Sequence, residues 1–205
     1  WEIFEWVTLR RKPLRREEII PQITRGSRLP ATAAGMLKHA EISYLACRIL
    51  FLASKHVHRA ALYMAAQTIE KYLKAVLLVQ DKRYTTNHDI VALARLAGGE
   101  FVDPVFLAVC EYVRDFQVAG RYDDGHDLET WVYSIDLLAL LDVFAYRCRA
   151  LIPRTEGDEN VVAALLNETE DENEVMRAAK VAVRECNVLL EHLASGSPAE
   201  VGEPA

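Results

Sequence analysis

The stretch from residue 57 to 80 constrains the fold more than any other part of the chain. No glycine or proline interrupts it, and its apolar residues recur at the three- and four-residue spacing of one helix face. Such a helix is stable only when other elements cover its apolar face. The inward face is expected to contain Leu62, Ala66, Ile69, Leu73, Val76 and Leu77. A separate stripe, expected to be polar, contains Tyr63, Gln67, Glu70, Lys71 and Lys74.

Similar spacing elsewhere predicts an all-α fold. With 9 Gly and 7 Pro among 205 residues, the chain has too few turn formers for a many-stranded β fold, and its 51% of apolar residues suffice for a core. We expect a four-helix core over residues 31–152. The side chains expected in it include Leu62, Ile69, Leu73, Ile135 and Leu138. The predicted helices cover residues 31–54, 57–80, 89–97, 104–118, 128–152 and 175–194, with a short helical turn at 161–166.

The regions outside this core differ from it in charge. Residues 1–30 hold seven Lys or Arg, four Glu and an aromatic start, whereas residues 155–174 hold eight acidic residues and no basic one. The basic arm suits nucleic acid or an acidic partner, or remains a solvated arm near the acidic segment. The predicted division is an arm (1–30), a bundle (31–152), an acidic linker with a short helical turn (153–174), a helix packed on the bundle (175–194) and a disordered tail (195–205). The last helix needs cover for Val175, Ala179, Ala182, Val183, Leu189, Leu190 and Leu193.

Cysteine spacing and hydropathy predict a cytoplasmic protein. The four cysteines, Cys47, Cys110, Cys148 and Cys186, stand 38 to 63 residues apart, so we expect small buried thiols rather than disulfides. The most apolar run, residues 42–53, lasts 12 residues and contains Arg48, whereas a membrane span needs about 20 apolar residues. The first residues are basic and interrupted, unlike a secretory signal. We therefore expect no membrane association.

Three ordered motifs resemble those of the HEPN domain family. Residues 65–75 spell A-x-Q-x-x-E-K-x-L-K-A, residues 88–90 spell H-D-I, and residues 120–122 spell G-R-Y. The resemblance covers about residues 31–152. It implies an antiparallel up-down four-helix bundle, often dimeric, that is tied to nucleotides or RNA. Family members act as metal-independent endoribonucleases or as accessory modules, frequently beside a nucleotidyltransferase.

An R-x4-H motif lies where catalytic members of the family keep theirs. In the endoribonuclease hypothesis, His126 transfers protons during attack by the RNA 2′-hydroxyl, and Arg121 stabilises charge on the phosphoryl oxygens. Tyr122 is typical of members without nuclease activity. Four nearby acidic residues, Asp123, Asp124, Asp127 and Glu129, would repel an RNA backbone. The sequence leaves open whether the protein is an enzyme.

The remaining candidate residues come from the first two motifs. In a shared cleft, Lys71 and Lys74 would contact phosphate, and Glu70 would hold Arg121 by a charge-assisted pair. The alternative is one solvated helix face with local ion pairs. His88 and Asp89 would orient a ligand, or Asp89 would cap a helix. The predicted nucleotide- or RNA-binding set is Glu70, Lys71, Lys74, His88, Asp89 and Tyr122.

Three functions therefore stand as hypotheses. The first is a nucleotide- or RNA-binding accessory module, as a homodimer or as a heteromer with a nucleotidyltransferase-type partner. The second is an endoribonuclease of the toxin–antitoxin or defence type, and the third is a purely structural helical bundle. No cofactor or metal is predicted. A Gly-rich phosphate loop is absent, and His56 and His58 are two residues apart, which points their side chains to different sides of a helix.

Overall fold

The computed structural model describes residues 32–54, 57–84, 88–119, 135–153, 160–168, 173–187, 189–190 and 193. These residues form α-helices and one 3₁₀ turn, and they contain no β-strand. The all-α prediction is confirmed. The helices are α1 (Ala33–Ala53), α2 (His58–Val79), α3 (Ile90–Ala97), α4 (Pro104–Ala119), α5 (Ile135–Leu151), α6 (Val161–Asn167) and α7 (Glu174–Arg184), with the 3₁₀ turn at Gly99–Val102 between α3 and α4.

Local chemistry sets several helix ends. The hydroxyl of Thr32 accepts a hydrogen bond from the Gly35 amide at 3.0 Å and begins α1. Pro104 occupies the first turn of α4, where its missing amide proton costs no helical hydrogen bond. Gly98 ends α3 with a φ of 72°, which glycine adopts without steric cost. These signals explain why the first four predicted helices begin and end close to the observed positions.

Helix α2 is the centre of the bundle, because α1, α3, α4 and α5 all contact it. Leu62, Ile69 and Leu73 of α2 are buried, as is Leu138 of α5. Their predicted burial is confirmed, whereas the side chain of Ile135 lies outside the described residues. Aromatic rings fill one end of the core: Phe106 and Phe144 lie 5.5 Å apart between ring centroids. The core thus fixes the position of α2, the helix that also carries the polar residues Glu70, Lys71 and Lys74.

The described residues that follow position 159 pack against α1. We refer to the described residues 160–168, 173–187, 189–190 and 193 as the C-terminal strap. Helix α1 contacts both α6 and α7 of this strap. The last helix ends at Arg184 rather than reaching residue 194, since Cys186 takes a left-handed backbone with a φ of 54° and turns the chain. Val175, expected to need cover, is 75% exposed.

The cysteines divide into two groups. Cys47, Cys110 and Cys148 are buried thiols, as predicted, and burial raises the pKa of Cys47 and that of Cys110 to about 12. The prediction was wrong for Cys186, which lies exposed on the turn after α7. None of the helices in the described ranges is both long and apolar enough to cross a membrane.

Candidate functional site

A buried carboxylate joins two of the predicted motifs. Glu70 of α2 is only 4% exposed. Its Oε1 atom accepts hydrogen bonds from Lys74 Nζ at 2.6 Å and from His88 Nδ1 at 2.8 Å. A solvated helix face was one of the two alternatives for these residues, and Lys74 is also only 8% exposed. A solvated face with loose ion pairs is therefore excluded for Glu70 and Lys74.

The inner lysine of the motif is held from two sides. Besides its bond to Glu70, the ammonium of Lys74 lies 5.5 Å from the ring centroid of Tyr84, within cation–π range. Partial burial raises the pKa of the Tyr84 hydroxyl. With its charge matched by a carboxylate and an aromatic face, Lys74 is suited to position neighbouring groups rather than to receive a ligand directly.

The outer lysine connects α2 to α1. Lys71 Nζ donates to Ser43 Oγ at 2.7 Å, and Ser43 Oγ donates to the His39 carbonyl one turn earlier at 3.1 Å. Burial lowers the pKa of Lys71, the neighbouring charge of Lys74 lowers it further, and Glu70 opposes the shift. Lys71 remains half-buried at the seam between the two helices.

His88 is the exposed end of the cluster. Its side chain is 63% exposed, although Glu70 Oε1 holds one ring nitrogen. Because a carboxylate only accepts hydrogen bonds, the bond places a proton on Nδ1 and leaves Nε2 on the other side of the ring. In the neutral ring Nε2 accepts a hydrogen bond, and in the imidazolium it donates one. A buried acid thus orients an exposed proton donor or acceptor.

Asp89 uses its carboxylate to start a helix. Its Oδ1 atom accepts from the Val91 amide at 3.0 Å and from the Ala92 amide at 3.1 Å, which makes it the N-cap of α3. The cap fixes the backbone directly after His88 and so helps to place the imidazole. A direct contact between Asp89 and a ligand stays a prediction.

The structure brings Glu70, Lys74 and His88 together and places Lys71 at the same helix face. Arg121, Tyr122 and His126 lie outside the described residues, and so does the predicted pair between Glu70 and Arg121. Two contacts of the site were missed. Ser43 lies 28 residues before Lys71, and Tyr84 carries no local motif, so neither had a signal in the sequence.

The chemistry of the cluster suits an anion. Lys71 and Lys74 carry positive charge beside the single carboxylate of Glu70, and His88 adds a further donor at the surface. Charge-assisted hydrogen bonds from such groups are strong toward phosphate oxygens. Within the described ranges, no three His, Cys, Asp or Glu side chains lie together as metal ligands would.

Comparison with known proteins adds one finding. Residues 36–137 match the family model of the HEPN domain. Neither the curated proteins nor the solved structures gave a match. The matched segment includes α1 from its fourth residue onward, α2 to α4, the Glu70 cluster and the R-x4-H motif. Residues 36–137 of this chain are therefore a HEPN domain.

Proposed function

We propose that this HEPN domain binds the phosphate groups of a nucleotide or RNA at the face formed by Lys71 and His88, and that it acts as a binding or accessory module. The observation that supports the proposal best is the pair of hydrogen bonds that Glu70 Oε1 accepts. One buried carboxylate oxygen fixes an inner lysine and an exposed histidine at 2.6 and 2.8 Å. An exposed imidazole that is held in one orientation is well placed to contact a ligand.

In this proposal Lys71 and His88 interact with the phosphate in different ways. Lys71 supplies a fixed positive charge near the seam between α1 and α2, where Ser43 Oγ holds it at 2.7 Å. His88 supplies a directional donor when its ring is protonated. Glu70 and Lys74 act behind them as positioning residues, since both are almost wholly buried. A terminal phosphate offers three acceptor oxygens and an RNA phosphodiester offers two non-bridging ones, so either has enough acceptors for both donors.

A calorimetric titration tests the proposal. Wild-type protein, Lys71→Met and His88→Gln are titrated with AMP, ATP and a short single-stranded RNA. Arg184→Gln is the matched control, because it removes one exposed positive charge from the end of α7, in the C-terminal strap. We expect each site variant to weaken binding about 10-fold, the loss of roughly one charge-assisted hydrogen bond. The control should bind like the wild type.

The salt dependence separates a phosphate contact from a fold effect. For RNA, losing Lys71 should reduce the slope of log affinity against log salt by about 0.7. Helical circular dichroism should be unchanged in all three variants. Wild-type protein that binds none of the three probes would refute the proposal, and so would equal losses in Lys71→Met and Arg184→Gln.

Metal-independent endoribonuclease activity is the second candidate function. What favours it is the R-x4-H motif, because it lies inside the residues 36–137 that match the HEPN family and combines a proton-transferring histidine with an arginine. The catalytic pair of this candidate remains Arg121 and His126. Incubation of RNA with EDTA and wild-type protein should leave 2′,3′-cyclic phosphate ends. His126→Ala and Arg121→Ala should lose about 10²- to 10⁴-fold of the rate.

The same experiment rejects the enzyme candidate in two ways. Residual cleavage that is equal in the wild type and both variants would indicate a contaminating nuclease. An inactive wild type would leave the binding module as the function. Assembly is tested separately, and the proposed states are a homodimer or a heteromer with a nucleotidyltransferase. Light scattering at the monomer mass of 23.1 kDa across concentrations would exclude the homodimer.

A further inference from the structure

Helix α1 carries two buried charges on the side away from Lys71. Arg48 and Glu41 have no exposed surface. Each is about 140–160° around the helix axis from Ser43, which contacts Lys71. Arg48 Nη1 lies 2.7 Å from both carboxylate oxygens of Asp142, in α5. A buried charge of this kind is costly unless further hydrogen bonds satisfy its donors and acceptors, and Arg48 Nε has no hydrogen-bond partner among the described residues.

The C-terminal strap completes the pair between Arg48 and Asp142. The second guanidinium nitrogen of Arg48, Nη2, donates to the carbonyl of Glu185. Asn187 Nδ2 donates to the Tyr44 hydroxyl at 2.9 Å, and that hydroxyl donates to Asp142 Oδ1 at 2.7 Å. The left-handed turn after α7 is therefore the segment that closes over this ion pair.

The strap completes a second pair in the same manner. Glu41 Oε1 lies 3.1 Å from Arg149 Nε, and Glu41 Oε2 accepts from the Val161 amide at 3.2 Å. Arg149 Nη1 donates to the Leu193 carbonyl, which also accepts from Asn160 Nδ2 at 3.3 Å. Both ends of the strap are thus fastened to charges on the bundle.

The apolar attachment of the strap consists of a few buried side chains and several partly buried ones that pack against the core. In its described part, Val162, Val183 and Leu193 are the buried aliphatic side chains. Helix α7 leaves an open groove of about 450 Å³ against the end of α1. Residues lining the groove include Ile49, Leu52, Val175, Ala178 and Ala182. By contrast, α2 is surrounded by four helices.

We propose that the C-terminal strap opens from the bundle as one unit while the bundle stays folded, and that the bonds to Arg48 and Glu41 control how often it opens. The two helices of the strap are joined, since Lys180 Nζ in α7 donates to the Glu168 carbonyl at the end of α6. When the strap opens, water replaces the Glu185 carbonyl at Arg48, the Leu193 carbonyl at Arg149 and the Val161 amide at Glu41. The apolar contacts of α2 stay in place, so the free energy of opening the strap is lower than the free energy of unfolding the whole protein.

Native-state hydrogen exchange with mass spectrometry on the full chain tests this inference. In the wild type, amides of α6 and α7 should exchange at least about 100-fold faster than the slowest amides of α2. Asn187→Ala removes the amide that holds Tyr44 and should speed exchange about 10-fold in both strap helices, with α2 unchanged. Glu41→Gln, at the other end, should act on both strap helices as well.

A core substitution provides the matched control. Ile69→Val shortens a buried side chain of α2 and should speed exchange in α2 several-fold without a selective effect on the strap. Strap amides that exchange at the α2 rate in the wild type would overturn the proposal. An Asn187→Ala effect confined to α7 would also overturn it, because the strap would then not be one unit.

Discussion

The Glu70 cluster and the Asp142 cluster share their ingredients but differ in where their hydrogen bonds end. In each, a buried carboxylate meets a cation at 2.6–2.7 Å. From Glu70 the network leads outward to His88, whose side chain is 63% exposed. From Asp142 it leads to Arg48 and then to a backbone carbonyl of the C-terminal strap. Burial of a charge therefore does not identify a ligand site by itself, and the site proposed above is the cluster whose network ends at the surface.

The largest expected effect comes from breaking the closed cluster. Asp142→Ala leaves the Arg48 guanidinium buried without its carboxylate, which should lower the free energy of unfolding by about 3–5 kcal/mol. Urea unfolding followed by circular dichroism measures this loss. The double variant Arg48→Met with Asp142→Leu should recover most of the stability, since no unpaired charge remains. A loss below about 1 kcal/mol in Asp142→Ala would show that the cluster is not closed.

The open cluster should respond differently to the loss of its carboxylate charge. Glu70→Gln removes the charge that matches Lys74 and should cost about 1–3 kcal/mol of unfolding free energy. It should also loosen the orientation of His88, because an amide oxygen accepts a weaker hydrogen bond than a carboxylate does, and so weaken AMP binding. Asp142→Asn should leave AMP binding unchanged. If both variants bind AMP equally well, the distinction between the clusters fails.

Alkaline pH tests how well the closed cluster excludes water. Burial raises the pKa of Cys47, the residue next to Arg48, from 9.0 to about 12. The unfolded thiol ionises first, so the stability from Cys47 is complete below pH 9 and is lost as pH rises toward 12. The expected slope is about 1.4 kcal/mol per pH unit in that window. Cys47→Ala should lack this part of the slope in urea titrations at pH 8, 9 and 10. Equal slopes would show that water reaches the thiol.

The smallest effect concerns the turn that closes over Arg48. Cys186 has a φ of 54°, a backbone that glycine adopts more easily than cysteine. Cys186→Gly should raise the unfolding free energy by about 0.5 kcal/mol, since added chain entropy in the unfolded state offsets part of the gain. Cys186→Ala keeps the strain and serves as the control. A destabilised glycine variant would show that the exposed thiol side chain itself holds the turn.

The local features of the fold followed from the sequence, and the long-range ones did not. Apolar spacing and caps such as Asp89 placed α1 to α4, because these signals lie within the helix they describe. The motif residues Glu70 and His88 were both identified, yet their bond depends on how α2 packs against the segment before α3. Charged residues at helical spacing fit a solvated face as well as a shared cleft, so the sequence alone did not decide the burial of Glu70 and Lys74.

The C-terminal strap shows the same limit. Arg48 and Asp142 lie 94 residues apart, and a charge inside an apolar run reads only as an obstacle to membrane insertion. The helix pattern of 175–194 continues past Arg184, but hydrogen bonds from Arg48 and Asn187 favour a turn there. Tertiary contacts of this kind override local helix propensity.

The position of Asp142 has a consequence for modular exchange of this domain. The family match ends at residue 137, inside α5 and ahead of Asp142, whereas Arg48 lies well within the match. A chimaeric protein joined at residue 137 would contain the buried Arg48 but not its partner Asp142. Any grafted copy that keeps Arg48 must also inherit the second half of α5, together with the segment that follows it. A graft that keeps this ion pair therefore has to extend beyond residue 137 and include Asp142.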